Sequence, residues 1–276
     1  MSFRWGFVGC GNLAQAIIGG ALKTDSLLAT QVSATNRSQS KLKKFANATS
    51  INICVDNQKL LMKSDVIVLA TKPQDLCSVL EEIAPFITSK HIVISLAAGV
   101  TANVLKKHLS SAKAIFRVMA NTPAVIQKGL YGIYRVKGKD EDFKTVSRVF
   151  EKIGTIVTLK NDKEINAMTA GAASGTGFVL QFMQDFEKWF VKKGYPRSIA
   201  RKVAVETFLG TSSLAQQRQE QSLEELRDAV TSKKGTTFAG LTSMKKSKVS
   251  PGIQKALQAS YSRSFDIAKN LRPNRK

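Results

Sequence analysis

The sequence predicts an α/β protein in which an N-terminal domain, built around a parallel sheet, precedes an all-α C-terminal domain. Two observations support this prediction. Short apolar runs alternate with helical segments as far as about residue 160, and beyond that point only long helical patterns occur. The 276 residues suffice for two domains of ordinary size. We therefore predict a first domain at residues 1–161 and a second at residues 162–276.

The first strand is predicted at residues 3–8, and the chain then runs through a glycine turn into an apolar helix at residues 15–22. The turn has the G-x-G-x-x-G/A form of the dinucleotide-binding fingerprint of Rossmann-type domains. Its residues are Gly9, Cys10, Gly11, Asn12, Leu13 and Ala14. The two glycines allow a tight turn and a close approach of backbone amides to a pyrophosphate, and the helix start offers free N–H groups. The alternative is a structural turn in another α/β domain.

The second predicted strand, residues 31–36, favours NADPH over NADH. In NAD-binding domains this strand ends in an acidic residue that receives the ribose hydroxyls. Here it ends in Asn36-Arg37-Ser38, and Lys41 follows one helical turn later. A guanidinium, a hydroxyl and an ammonium group suit the 2′-phosphate of NADPH. NADH is expected to bind more weakly, and the alternative for these residues is a solvated basic loop.

Three further strands are predicted at residues 65–70, 91–96 and 114–119, and residues 129–136 and 154–159 complete the sheet. The first three are nearly continuous apolar runs, which are typical of parallel strands covered on both faces. Ligands of such sheets bind beyond the carboxyl ends of the strands. We therefore expect cofactor contacts at residues that end or follow these strands, namely Ala70, Thr71, Lys72, Pro73, Ala97, Ala98, Gly99 and Asn121.

The C-terminal part is predicted to be helical at residues 163–173, 178–193, 197–218, 223–232 and 253–271. One helix carries a stripe of large apolar side chains at helical spacing: Phe178, Phe182, Met183, Phe186 and Phe190. Such a stripe indicates core or a subunit interface and not a cofactor site. We expect a homodimer, or a ring of dimers, that forms through this domain.

The composition of the chain makes some classes of function less plausible than others. The 42 basic and 20 acidic residues give a net charge of +22. This excess would steer an anionic substrate or cofactor. No basic recognition helix, zinc finger or aromatic RNA-binding motif accompanies it, so we do not expect nucleic acid as the main partner. The three cysteines and two histidines show no spacing typical of a metal site or a catalytic triad, and a cofactor must supply the chemistry. We expect a cytoplasmic protein, without signal peptide or membrane span.

Several segments in register resemble the pyrroline-5-carboxylate reductase family over nearly the whole chain. They are the glycine turn, Asp56-Asn57, VLATKPQ at residues 68–74, ISLAAGV at 94–100, RVMANTPA at 117–124 and AVTSKKGTTFAGL at 229–241. The resemblance implies hydride transfer from NADPH to the C=N bond of 1-pyrroline-5-carboxylate, which gives L-proline. It also implies that the helical domain pairs two subunits.

The same resemblance implies roles for individual residues. Ser232 and the N–H groups of Gly235, Thr236 and Thr237 would bind the substrate carboxylate, and Thr237 would also act at the imine nitrogen. Asn57 would contact the cofactor and Asp162 the substrate. Lys72 would stabilise charge or assist proton supply at the nicotinamide end. The alternative for Lys72 is a surface lysine before a proline turn.

Three segments depart from the family pattern: Ala120 where proline is usual, residues 172–177 where the family has a Ser-Gly-Ser-Gly-Pro-Ala run, and Lys233-Lys234 where it has Pro-Gly. The last two lie in loops implied to shape the substrate pocket. Two alternatives therefore stay open beside the reductase. One is a related imine or ketone reductase with another substrate, and the other is a non-catalytic relative that binds NADP.

Overall fold

A computed structural model describes residues 3–270, and within them eight strands form one sheet. The strands are β1 (Trp5–Val8), β2 (Val32–Thr35), β3 (Asn52–Ile53), β4 (Val66–Leu69), β5 (Ile92–Ser95), β6 (Ala114–Ala120), β7 (Gly129–Lys137) and β8 (Gly154–Leu159). Their order in the sheet is β3-β2-β1-β4-β5-β6-β7-β8. The order reverses at β1, which lies between β2 and β4. That reversal is where doubly wound α/β proteins bind their ligands.

Twelve α-helices occur in the same range. They are α1 (Asn12–Lys23), α2 (Gln39–Thr49), α3 (Asn57–Met62), α4 (Pro73–Ile83), α5 (Ala102–His108), α6 (Asp140–Lys152), α7 (Asp162–Met168), α8 (Gly175–Lys192), α9 (Arg197–Gln217), α10 (Leu223–Ala229), α11 (Thr236–Lys246) and α12 (Val249–Asn270). A π-helical stretch, Thr169–Ser174, joins α7 to α8 and occupies the second half of the helix predicted at residues 163–173. The predicted last helix ended at Leu271, which lies outside the described residues. None of the described helices combines the length and apolar character needed to cross a bilayer.

The strands from β1 to β6 pair in parallel, and all of them except the edge strand β3 are covered on both faces. One core lies beneath α1, α2 and α6, and the other beneath α3, α4 and α5. In strand β4, one continuous apolar segment contributes side chains to both cores. Val66 and Val68 point into the first core, and Ile67 and Leu69 point into the second. Apolar residues at successive positions are therefore needed along the whole strand.

The sheet is not parallel throughout, which differs from the sequence expectation. Strand β7 pairs antiparallel with β6, and β8 then pairs in parallel with β7. Only residues 121–128 separate β6 from β7, and a parallel crossover needs a dozen residues or more. The sequence analysis also missed β3, because this edge strand has two residues and both are exposed.

The chain divides into two compact units. The first contains the chain up to Ser174 together with the end of α12 from Ser260 onwards, and the second contains Gly175–Ala259. Within the second unit the buried apolar side chains are only Ala200 and Ala204. Its exposed large apolar side chains include Leu180, Phe186, Trp189, Leu209 and Phe238. The functional boundary between residues 161 and 162 remains a prediction.

A buried ion pair connects three elements of the first unit. Arg117 of β6 has a side chain that is only 3% exposed, and its Nη1 lies 2.5 Å from Oδ1 of Asp162 at the start of α7. The Asp162 carboxylate also accepts the backbone N–H of Ala102, the first residue of α5, at 3.0 Å. Burial lowers the pKa of Arg117, and the Asp162 carboxylate opposes that effect. Because Asp162 compensates the buried charge, it is a structural residue of this unit.

We expect Asp162→Ala to lower the free energy of unfolding by about 3 to 5 kcal/mol, since it leaves the Arg117 guanidinium buried without a counter-charge. Urea denaturation followed by circular dichroism measures the loss. The matched control is Asp140→Ala, which removes the partner of Arg135 from an ion pair in which Asp140 is 85% exposed. That loss should be much smaller, because an ion pair in solvent contributes little to stability. Equal losses in the two variants would contradict a structural role for Asp162.

Candidate active site

The glycine turn gathers the ends of three strands at one point. Gly9 follows β1 with φ at +92°, and a Cβ atom there would lie 2.9 Å from the backbone carbonyl of Ala70, which follows β4. Any side chain would therefore be strained and would also clash. The N–H of Gly9 donates to the carbonyl oxygen of Thr35 at the end of β2, at 3.1 Å. Only glycine lets β1 turn this close to its neighbours.

The start of α1 is shaped to receive an anion. Gly11 is the N-cap residue, and no side chain caps the helix. A Cβ atom built on Gly11 would meet nothing within 4 Å, so the space above the turn is open. The first N–H groups of a helix, here those of Asn12 and Leu13, have no partner within it and carry the positive end of its dipole. Ala14 is buried against the core and holds the helix to the sheet. This arrangement fits a pyrophosphate.

Two asparagines that the sequence assigns to the cofactor use their side chains within the fold. The Asn36 amide oxygen accepts the Cys10 N–H at 3.2 Å, and its amide nitrogen donates to the Ser38 carbonyl at 3.1 Å. The Asn57 amide oxygen accepts the Thr35 hydroxyl at 2.6 Å. These bonds fix the turns that surround the phosphate cradle. Sequence analysis missed this role because the partners lie on other elements.

The basic group at the end of β2 lies beside the start of α2. Arg37 has a side chain that is 85% exposed, Lys41 is exposed on the first turn of α2, and Ser38 is the N-cap residue with no side-chain cap bond. No carboxylate follows β2 in the sequence, but the fold brings one close, because Asp75 on α4 has Oδ2 at 3.7 Å from Nη1 of Arg37. The positive charge of two cationic side chains and a helix N-terminus still exceeds the negative charge of this single carboxylate.

Two buried hydroxyls stand at the ends of β4 and β5. Thr71 Oγ1 and Ser95 Oγ have no hydrogen-bond partner within the described residues. An unpaired buried hydroxyl is unfavourable, so such groups indicate a partner from outside the chain. Lys72 is exposed and is the N-cap residue of α4, with Pro73 in its first turn. Sequence analysis did not select Ser95, because a serine at a strand end carries no distinctive signal.

Other residues predicted to bind the cofactor follow β5 and β6. Ala97 is buried, Ala98 is half-buried, and Gly99 has φ at +78°, where glycine is favoured. Asn121 follows β6, and its amide oxygen accepts the N–H of Leu130 at 2.8 Å. Asn121 thereby holds the short connection between β6 and β7. The small residues leave room at this edge of the sheet.

A cavity of about 180 Å³ opens at this edge. It is lined by the end of β5 and the residues after it, by residues 117–120 of β6, by Leu13 of α1, and by Ile165, Thr169 and Ala173. Most of the lining is apolar, and its polar side chains are Ser95, Arg117 and Thr169. The lining contains no carboxylate, imidazole, amine or thiol. It therefore offers a flat apolar group a place but supplies no acid, base or nucleophile of ordinary strength.

Two buried titratable groups outside the cavity lining have pKa values shifted towards their neutral forms. Burial raises the pKa of the Cys10 thiol to about 11, so this residue of the glycine turn stays protonated at neutral pH. Burial also lowers the pKa of His91 at the opposite end of β5. Both ring nitrogens of His91 have partners, the N–H of Thr88 and the carbonyl of Leu61. Neither residue is available for catalysis.

The residues predicted to bind the substrate carboxylate lie at the start of α11 in the second unit. The sequence analysis predicted no helix between residues 233 and 252, but α11 begins at Thr236. Gly235 is the N-cap residue without a side-chain cap bond, and its N–H donates to the Ser232 carbonyl at 3.0 Å. A Cβ atom on Gly235 would lie 2.2 Å from Ser232 Oγ. Thr237 is exposed in the first turn. The glycine keeps this helix start open, which is the geometry that an anion requires.

Two family models match the chain. Residues 162–267 match the pyrroline-5-carboxylate reductase dimerisation family, and residues 4–99 match the family described as NADP oxidoreductase, coenzyme F420-dependent. The first match supports the formation of a homo-oligomer. It also agrees with the exposed apolar side chains of the second unit, which a partner would cover.

Known relatives cover almost the entire chain. A pyrroline-5-carboxylate reductase of Haemophilus influenzae is 32% identical over 265 residues, which are 95% of this chain and 96% of the relative. Pyrroline-5-carboxylate reductase 2 of Bacillus subtilis is 31% identical over 95% of this chain and 94% of its own.

Solved structures agree with these relatives. The Plasmodium falciparum pyrroline carboxylate reductase, determined with NADP bound, matches with a TM-score of 0.88 and 25% identity over 97% of this chain and 98% of that one. The Coxiella burnetii pyrroline-5-carboxylate reductase matches with a TM-score of 0.86 and 29% identity over 97% and 99% of the two chains. On its fold, its strand-end site and its relatives, this chain belongs to the pyrroline-5-carboxylate reductase family.

Proposed function

We propose that this protein reduces 1-pyrroline-5-carboxylate to L-proline with NADPH. The observation that carries the proposal is the cavity at the ends of β5 and β6. It lies beside an open phosphate cradle, and its lining has no group that could perform acid–base or nucleophilic chemistry alone. Such a site needs a redox cofactor. The bound NADP of the Plasmodium falciparum relative identifies which cofactor this family uses.

The residues present fit NADPH. Gly9, Gly11, Asn12 and Leu13 would hold the pyrophosphate at the start of α1, where no side chain competes for the N–H groups. Arg37, Ser38 and Lys41 would bind the 2′-phosphate, and the turns held by Asn36 and Asn57 would support them. Residues at the ends of the next strands, Ala70 to Pro73, Ala97 to Gly99 and Asn121, would surround the rest of the cofactor. When bound, the nicotinamide supplies a hydride to the carbon of the C=N bond.

The chain itself would bind the substrate and supply its proton. The N–H groups of Thr236 and Thr237 and the Ser232 hydroxyl would hold the substrate carboxylate, whereas the Gly235 N–H already donates to the Ser232 carbonyl. The imine nitrogen gains a proton as its carbon gains hydride, and the Thr237 hydroxyl would donate a hydrogen bond to that nitrogen. Lys72, exposed at the start of α4, would assist the proton supply. Asp162 has less to offer the substrate, because its carboxylate already binds Arg117 and the N–H of Ala102.

One observation favours a second candidate, a related imine reductase with a different substrate. Lys234 has φ at +60°, in the left-handed region, where the family has glycine. A lysine there costs about 1 kcal/mol relative to glycine. It also places a second cation, beside Lys233, near the helix start that would bind an anion. A substrate with more negative charge than pyrroline-5-carboxylate would benefit from both lysines.

We further propose that residues 162–276 form the domain that binds the substrate and joins subunits, and that residues 1–161 bind NADPH. The second unit buries only two alanine side chains among its apolar residues, while Leu180, Phe186 and Trp189 stay exposed. A helical unit with so little core needs a partner to cover its apolar face. We expect a homodimer or a ring of dimers, and light scattering at micromolar concentration measures this. A monomer would contradict the proposal.

The activity is tested by following NADPH oxidation at 340 nm. We expect purified protein to oxidise NADPH with pyrroline-5-carboxylate and to form proline. A panel of other cyclic imines and 2-oxo acids, measured in parallel, separates the alternatives. A faster substrate on the panel would establish the related reductase. Tight NADPH binding without turnover of any compound would indicate a non-catalytic relative.

The cofactor preference is tested with Arg37→Asp. This change removes the guanidinium and places a carboxylate near the 2′-phosphate, so the Kd for NADPH should rise by at least about tenfold. The Kd for NADH, which lacks that phosphate, should change little. Fluorescence titration measures both constants. Arg148→Asp makes the same charge change on α6 and should leave both constants unaltered. Equal weakening of both cofactors by Arg37→Asp would show that the 2′-phosphate binds elsewhere.

A further inference from the structure

The Ser95 hydroxyl lies in a row of side chains that crosses one face of the sheet. Ser95 is the last residue of β5, and its register partner in β6 is Arg117. Register partners in adjacent strands carry their side chains on the same face. Arg117 forms the buried ion pair with Asp162, so the charge beside Ser95 is already compensated. Ser95 is therefore next to a neutralised pair at the cavity edge.

This hydroxyl has no function within the fold. Ser95 is only 2% exposed, and its Oγ has no hydrogen-bond partner within the described residues. A buried hydroxyl without a partner destabilises the folded chain. Ser95 also lines the cavity of about 180 Å³, so its hydroxyl lies at the border of the space that a bound ring would fill. Thr71 has a similarly unpaired hydroxyl, but it does not line that cavity.

The chemistry of the cavity restricts the ligand group that meets Ser95. Leu13, Ala97, Ala98 and Met119 make most of the lining apolar, which suits a flat ring. The charge of Arg117 is balanced by Asp162, so the cavity offers no net charge for a carboxylate. A hydroxyl both donates and accepts hydrogen bonds. A primary carboxamide does the same, with one carbonyl oxygen and one NH₂ group.

We propose that Ser95 is a cofactor-binding residue whose hydroxyl bonds the carboxamide of the nicotinamide ring and so orients that ring in the cavity. The inference rests on the proposed function for the identity of the cofactor. Ser95 would be a cofactor contact separate from the glycine turn and from the basic residues Arg37 and Lys41. Those two sites bind the phosphates, whereas Ser95 would select the orientation of the ring that transfers hydride.

The test compares NADPH with 2′-phospho-ADP-ribose, which is the same cofactor without its nicotinamide, by calorimetric titration. For Ser95→Ala we expect the Kd for NADPH to rise about fivefold to tenfold, the amount that one hydrogen bond contributes. The Kd for 2′-phospho-ADP-ribose should not change. The melting temperature without ligand should be unchanged or higher, because the substitution removes a buried group that has no partner.

Ser64→Ala is the matched control. Ser64 is as buried as Ser95, but its hydroxyl donates to the Leu60 carbonyl at 2.7 Å. Its loss should lower the melting temperature and leave both dissociation constants unchanged.

Several results would overturn the assignment of Ser95. NADPH bound equally by wild type and Ser95→Ala would refute it, and a rise only in the KM for the imine would assign the hydroxyl to the substrate. Parallel weakening of both ligands, or a lower melting temperature, would make Ser95 a packing residue. The calorimetric titrations contain no imine. Their results therefore remain valid even if the protein does not reduce pyrroline-5-carboxylate. Absence of NADPH binding to wild type would instead refute the proposed cofactor.

Discussion

The buried guanidinium of Arg117 is the constraint on which the cavity depends. A charge this far from water needs a counter-charge at close range, and Asp162 supplies it. Because Asp162 begins α7 and also binds the first N–H of α5, the pair sets where both helices start relative to β6. Ile165 and Thr169, which follow Asp162 in the same helical run, line the cavity. One electrostatic requirement in the sheet thus fixes one wall of the candidate active site.

The site lies at the carboxyl edge because the interiors of the strands beside it are apolar, apart from Arg117 of β6. In β4 every residue from Val66 to Leu69 is buried, with alternate side chains in opposite cores. Among the described residues, two unpaired buried hydroxyls stand where strands end, at Thr71 and Ser95, and a third, that of Tyr131, lies in the first core. Departures from good packing are expected at functional positions. The two hydroxyls reduce the stability of the empty protein and become favourable only when a ligand supplies their partners.

Much of this fold follows from local sequence patterns, and the failures share a physical cause. Nearly continuous apolar runs predicted β4, β5 and β6, and the glycine turn predicted the cradle, because burial and backbone conformation act on neighbouring residues. The direction of β7 depends on the length of the connection before it and not on its composition. The pair of Arg117 with Asp162, separated by 45 positions, leaves no local signal. The π-helical stretch after α7 was likewise not predicted, since its small residues, TAGAAS, are also compatible with an ordinary α-helix.

The nearness of Asp75 to Arg37 was equally invisible in the sequence, and it bears on how a phosphate would be selected. Their ion pair is long, at 3.7 Å, and largely solvated, so it contributes at most about 1 kcal/mol. A 2′-phosphate carries more charge than a carboxylate and accepts from several donors at once. A phosphate could also bind Lys41, the Ser38 hydroxyl and the N-terminus of α2, whereas Asp75 pairs with Arg37 alone. Asp75 can therefore hold Arg37 near its working position without preventing its transfer to a phosphate. Selectivity for NADPH over NADH would arise from the local arrangement of donors around the 2′-phosphate. The net charge of +22 is spread along the whole chain and contributes only long-range attraction.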